Sequence, residues 1–348
     1  KEYSSTLTIN DTGNGTQRFY GHVSTANVST GSDCLYVHGK VDSLNLNAGK
    51  VVVDKNGIAM VSKTVPGTVV VGQNGGFVLV ADGASIADNT VNASAGSAIG
   101  SAFFGGGSGT EADPWLIDNE KQLISKDADR LSMRTVGGYF KLNKNIVVSE
   151  EIYLSGKVWV FDLNGHSVTL KYAKGVSPNN GGVFNIAGQN SHLTINDSSN
   201  GKGEVIGSNE EYDNKVICAV RVGNYGKLTI NGGHFYGKSN ATSCIFVCTN
   251  TSTSTKATVV INGGTFETAS PSNGTYFVLN HEDGSKWMGS AGCTMTVNGG
   301  TFKNYNPSVT VVDTDHAKTG KISLGNGCTT TSTKDESGNT WYTVSKSN

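Results

Sequence analysis

Apolar and polar residues alternate along most of this chain, in short runs. L-T-I-N-G-G-H-F at 228–235, V-V-I-N-G-G-T-F at 259–266 and M-T-V-N-G-G-T-F at 295–302 each alternate with period two, reach Asn-Gly-Gly, and restart on Phe. Period two marks a strand with one buried face, and Gly-Gly behind Asn marks a turn. The three asparagines, Asn231, Asn262 and Asn298, stand 31 and 36 residues apart. L-T-I-N-D places Asn196 another 35 residues upstream, and F-D-L-N-G-H places Asn164 another 32 before that. A unit recurring at roughly 20–50 residues predicts a solenoid. Because this unit is all strand and turn, the predicted solenoid is a parallel β-helix.

In such a stack like residues sit over like. Ile195, Ile230, Ile261 and Val297 predict one aliphatic ladder, and Phe235, Phe266 and Phe302 an aromatic one. The asparagines are expected to stack at a tight bend, because Asn tolerates left-handed backbone angles and its side chain bonds neighbouring amides. A second face of each coil is expected to start at V-F-N-I (183–186), A-V-R-V (219–222), F-V-C-T (246–249), F-V-L-N (277–280) and V-V-D-T (311–314). Between the faces the loops vary in length, most of all at 250–256 and 281–292, and variable loops on one side of a stack are where specificity is built. G-N-T-W-Y-T-V-S at 338–345 predicts a strand covering the last coil.

The first hundred residues alternate too. Apolar pairs at Leu44/Leu46, Val51/Val53 and Ile58/Met60, followed by Val69/Val71, Phe77/Leu79 and Ile86, repeat with offsets of 25, 26 and 28 residues when matched in order. That predicts three strands per coil and a coil of about 26 residues. The competing reading folds 69–80 as a β-hairpin over its Gly-rich turn. Residues 105–112 form a Gly-rich linker between an N-terminal β-rich part (1–104) and a β-helix domain (113–348). Asp118 is placed to cap a short amphipathic helix near 118–132, carrying Leu123, Ile124, Ala128 and Leu131 and closing the end of the stack.

Composition narrows the function classes. The 348 residues carry a net charge of −1 with only 16% charged residues, which gives no footprint for nucleic acid. No 18-residue apolar run exists, so no helix is expected to span a membrane. The 46 Gly and 5 Pro suit a turn-dense β protein. The Ser/Thr/Asn-rich, Arg-poor make-up suits a secreted or cell-surface bacterial protein. The chain opens on Lys1 with no Met and no leader-like apolar run, which fits a removed leader or a trimmed chain. The six cysteines show no zinc-ligand spacing. Cys218 and Cys244 start comparable strands; stacked, they reach disulfide distance, and otherwise they fill a ladder as small buried apolar groups.

The run G-G-G-S-G-T-E-A-D-P-W-L-I (105–117), then F-D-L-N-G-H-S-V-T-L (161–170), then serial N-G-G-T-F resembles secreted surface β-helix proteins of gut bacteria, over roughly residues 105–345. Many of those are called adhesins or pectate-lyase-like proteins. The resemblance implies a right-handed parallel β-helix in an extracellular setting, three-sided as the strand count per coil predicts, and it implies no reaction, because fold and function separate easily on such scaffolds.

Chemistry is thin. Lyases on this fold use a carboxylate cluster that binds Ca²⁺ and an Arg or Lys base, and hydrolases need paired carboxylates across the scissile bond. The chain has no Asp-Asp pair, and it lacks the G-x-S-x-G, phosphate-loop and H-E-x-x-H patterns. What it offers is a polar column on the starting-strand face, Asn185, Arg221, Asn280 and Asp313, beside His281, Glu282, Trp287, Asp315 and His316, with Tyr225 and Tyr276 as rings for sugar stacking. Arg221, Asp313 and Glu282 are the catalytic candidates; Asn185, Arg221, Tyr225, Asn280, His281, Trp287, Asp315 and His316 are the ligand-binding ones. His166 and His234 read as structural turn residues. The expectation is a monomeric, non-catalytic, adhesin-type surface protein presenting one face to a glycan or host ligand, without cofactor or metal. The alternatives are a polysaccharide lyase (with Ca²⁺) or glycoside hydrolase, and a trimeric phage tailspike.

Overall fold

A computed structural model describes residues 5–11, 15–54, 57–61, 65–71, 76–80, 86–88, 97–101, 104–105, 107, 109–125, 132–172, 181–208, 217–238, 243–249, 254–269, 278–281, 292–309 and 322–347. The chain is a parallel β-helix: short strands from successive coils pair in parallel, and among the described residues the only antiparallel pairings lie at the C-terminal end. It divides into two compact units, one made of 1–108 with 125–135, the other of 109–124 with 136–348.

In the second unit each coil contributes to three faces. Face A runs through Trp115–Ile117, Gly138–Leu142, Val158–Asp162, His192–Asn196, Lys227–Ile230, Thr258–Ile261, Thr294–Val297 and Ile322–Leu324. Face B runs through Ile146–Val148, Ser167–Leu170, Glu204–Gly207, His234–Gly237, Thr265–Thr268 and Gly300–Lys303, and ends in the hairpin strands Thr340–Lys346 and Cys328–Lys334. Face C holds Ile152–Leu154, Gly181–Ile186, Ile217–Val222, Ile245–Val247 and Leu279–His281.

The predicted ladders form. Ile195, Ile230, Ile261 and Val297 pair in register on face A and are all buried. Phe235, Phe266 and Phe302 are fully buried on face B, with ring centroids 5.1 and 4.9 Å apart and planes within 11°. That spacing follows from the strand-to-strand separation of about 4.8 Å, which the rings inherit. At the corner Asn231 donates to Asn196, Asn262 to Asn231 and Asn298 to Asn262, each through Nδ2 to Oδ1 at 2.8 Å. The left-handed backbone falls on the second glycine of each Gly-Gly, where no Cβ opposes it, at φ 97°, 106° and 116° for Gly233, Gly264 and Gly300, and not on the asparagines. Asn164 is not a ladder member. Asp162 stands opposite Asn196, while Asn164 takes φ 50° itself and donates to the Leu142 carbonyl.

The cap is shorter than expected. A helix spans Glu120–Ile124, and Asn119 rather than Asp118 caps it: Asn119 Oδ1 accepts from the Gln122 amide, and Gln122 Oε1 accepts from the Asn119 amide in return. Leu123 is fully buried, and the helix packs against strands Ile146–Val148 and Ile152–Leu154. Ala128 and Leu131 lie outside the described residues. At the other end, Thr340–Lys346 extends face B in its plane, antiparallel to Gly300–Lys303, instead of lying over the coil.

The first unit also has three pairing segments per coil, because register shifts divide its long strands Thr25–Val37 and Leu44–Val53. Its coil is shorter than the expected 26 residues. Leu35 pairs with Val51, Val51 with Val69, and Ile58 with Phe77, giving offsets of 16, 18 and 19. The segment V-P-G at 65–67 has no apolar pair, so matching pairs in order slid one face out of step. Residues 69–80 are no hairpin, since Val65–Val71 and Gly76–Val80 belong to different sheets.

None of the six cysteines forms a disulfide. Cys218 and Cys244 do not stack: Val220 pairs with Ile245, which puts Cys244 opposite Ala219. A slip of one residue turns the two side chains to opposite faces.

Candidate functional site

The register brings three members of the predicted column together on face C. Tyr153, Asn185, Arg221, Phe246 and Asn280 are successive neighbours across the five strands. Arg221 sits directly beside Asn185, and Phe246 separates it from Asn280. The face is not open, as the sequence implied, for Asn185, Phe246 and Asn280 are all buried and Arg221 is only partly accessible. Asn185 Nδ2 donates to Glu151 Oε2 at 3.0 Å, and an Arg221 guanidinium nitrogen contacts Cys248 Sγ at 3.7 Å. Asn280 is 1% exposed, and neither its amide nitrogen nor its oxygen has a hydrogen-bond partner among the described residues.

The electrostatics of this cluster oppose chemistry. Burial pushes the Cys218 thiol up, outweighing the pull of Arg221, so it stays a thiol and no nucleophile. Arg221 is held above its ordinary value: burial opposes that, but its hydrogen bond to Cys248 and the nearby Glu151 favour the cation. A guanidinium held so is a fixed positive charge, not a base. His281 lies in the inward column of Leu154, Ile186, Val222 and Val247, buried among aliphatic side chains. Tyr225 is on a turn, at φ 63°, its amide bonded to the Thr255 carbonyl. Glu282, Trp287, Asp313, Asp315 and His316, with Tyr276, lie outside the described residues.

Face B holds a constellation that the turn reading of His234 missed. Here Phe235, Phe266 and Phe302 point inward, so the residues on either side of each point outward. The triplets H-F-Y, T-F-E and T-F-K thereby line up Tyr236, Glu267, Lys303 and Trp341 in one column and Glu204, His234, Thr265 and Thr301 in the next. His234 Nδ1 lies 3.2 Å from Glu204 Oε1, and its Nε2 lies 2.8 Å from Glu267 Oε1, an ionic contact not aligned as a hydrogen bond. Lys303 Nζ donates to Glu267 Oε2 at 2.9 Å and sits 5.5 Å from the Trp341 ring centre. Trp341 Nε1 donates to Asp335 Oδ2 at 2.9 Å, which fixes the indole, and Tyr236 stacks beside His234 at 6.0 Å. The sequence signal was available in the residues flanking each ladder Phe.

His234 and Lys303 hold the Glu267 carboxyl down to about 2. In return Glu267 and then Glu204 raise His234 against the opposing effect of its burial. A general acid needs a raised carboxyl, and Glu267 is the reverse. Among the described residues, no three His, Cys, Asp or Glu are placed to hold a metal ion, and no helix is long and apolar enough to cross a membrane. Comparison with protein-family models, curated proteins and solved structures finds no match to this chain.

Proposed function

We propose that the chain is a non-catalytic, adhesin-type binding protein, secreted or displayed at a cell surface, that presents face B of its β-helix to a glycan. The observation that carries this reading is the strip Tyr236–His234–Glu267–Lys303–Trp341, in which Tyr236 and Trp341 flank polar groups already fixed by one another. Aromatic rings offer apolar faces to the C–H side of a sugar, and fixed polar groups meet its hydroxyls with little ordering cost. The carboxyl best placed for acid–base work is locked as an anion, which favours holding a ligand over cleaving it.

The test is solid-phase and calorimetric binding of the full chain to a panel of purified plant and host polysaccharides, with product analysis on each. Binding without depolymerisation, weakened about tenfold by Trp341→Ala, is the expected outcome; an aromatic contact of this kind is worth about that much. Release of oligosaccharides, or binding indifferent to Trp341→Ala and Tyr236→Ala, would overturn the reading in favour of a lyase or hydrolase, or of another face.

A further inference from the structure

The first unit carries an outward array unrelated to face B. Gln17–Phe19 pairs with the end of Thr25–Val37, so Arg18 stands beside Tyr36, which in turn stands beside Val52. One step along the strands, the His38 amide donates to the Phe19 carbonyl and the Asp54 amide to the Val37 carbonyl, which sets Tyr20, His38 and Asp54 in a second column. Phe19 packs against the core and Val37 and Val53 lie in it, so these two columns point away from that core, open at Tyr20 and covered at Val52 and Asp54. Tyr20 and His38 stack with centroids 4.8 Å apart and planes within 10°; Tyr36 stacks on His38 at 6.2 Å, and Arg18 lies over Tyr36 at 5.4 Å. Asp54 belongs to the same patch electrostatically: the Tyr36 hydroxyl is held up first by Cys34 and by burial, and Asp54 adds to both.

Two features mark the array as incomplete. Tyr20 is 70% exposed, the most exposed large apolar residue of the described chain. Two strands from it, on the far side of His38, Asp54 is 8% exposed yet its Oδ1 has no hydrogen-bond partner among the described residues, and neither has His38 Nε2. Buried polar atoms left without partners are costly and are normally satisfied by a ligand or water. A ligand meeting both features needs a flat C–H face for the Tyr20 ring and hydroxyls beside it for Asp54 and His38. It also needs no net charge, because Arg18 and Asp54 offset each other. We infer that the Arg18–Tyr20–Tyr36–His38–Asp54 array is a binding site for a neutral saccharide, of the β-1,4-linked pyranose type whose equatorial substituents leave flat C–H faces. It stands on a different face of a different unit, so it does not depend on the face B strip.

The experiment is calorimetric titration of the full chain with cellohexaose, mannohexaose and xylohexaose, with sedimentation run in parallel. Saturable binding of at least one hexasaccharide is expected in a Trp341→Ala background, which removes the face B ring, weakened about tenfold when Tyr20→Ala is added, restored by Tyr20→Phe and reduced by Asp54→Asn. Tyr20 lies on the surface, so its variants keep the fold, which circular dichroism verifies. Loss of binding in Trp341→Ala alone would overturn this site while sparing the face B reading. No binding of the three sugars, or a dimer that Tyr20→Ala dissociates, would overturn it as well, the latter showing that a second copy covers the patch.

Discussion

At the scale of single residues, His234 is held by a carboxylate at each ring nitrogen. Its folded value lies above the ordinary 6.5, raised chiefly by Glu267, so the stability it contributes is full below 6.5 and is lost as pH rises through the raised value. Glu267 falls from 4.5 to about 2, so its contribution is full above 4.5 and is lost as pH falls toward 2. The two windows overlap between these ordinary values. The melting-temperature difference between the native chain and His234→Gln is therefore expected to peak between about pH 4.5 and 6.5 and to shrink on both sides; a difference flat from pH 3 to 9 would refute the ion chain. The residue scale also shows what local pattern withholds. Cys218 and Cys244 start similar strands, yet one residue of register separates their faces, and register is set by pairing across the coil rather than by the strand's own letters. Asn164 resembles Asn196 in its neighbours but occupies a different corner position, because Asp162 takes the place opposite Asn196.

At the scale of the element, each coil is held by what lies over and under it. Phe266 is fully buried between Phe235 and Phe302, and truncation there removes two ring contacts and opens a cavity that rigid strands cannot close. Phe266→Ala is expected to destabilise by about 3–5 kcal/mol, against less than about 1 kcal/mol for Tyr236→Ala on the outer side of the same sheet. Urea unfolding followed by tryptophan fluorescence measures both, and near-equal losses would mean that the ladder is not the core. The second unit's elements were legible because N-G-G-[TH]-F marks the same corner in three successive coils, and alternation then assigns each side chain to a face. The first unit has no such mark. With no apolar pair at 65–67, its coil of 16 to 19 residues read as about 26. The burial of face C was illegible for a different reason. Strands buried on both sides arise from what covers the sheet, and Asn185, Arg221 and Asn280 look as polar in sequence as any solvated column.

At the scale of the whole molecule, a stack of parallel strands leaves open edges at its ends, and those edges pair with other chains unless something blunts them. Face B shows how this chain answers the problem. After Gly300–Lys303 the chain reverses direction, and Thr340–Lys346 pairs antiparallel to it with Phe302 opposite Tyr342 and Val344 buried. Cys328–Lys334 then forms the outermost strand, mostly exposed and built of Thr, Ser and Lys on its outer half, a polar edge with a charge at its end. A parallel partner strand has nothing in the hairpin's antiparallel, hydrophilic rim to continue the stack. Deleting 326–348 leaves Gly300–Lys303 as a bare edge next to the exposed end of the Phe ladder. The full chain is expected to sediment as a monomer at all concentrations, and the truncated chain to associate as concentration rises, with a lower melting temperature. A truncated chain that stays monomeric would show that the hairpin does not guard the edge. A full chain that sediments as a trimer would instead favour the tailspike alternative, in which ends and edges are buried by symmetry.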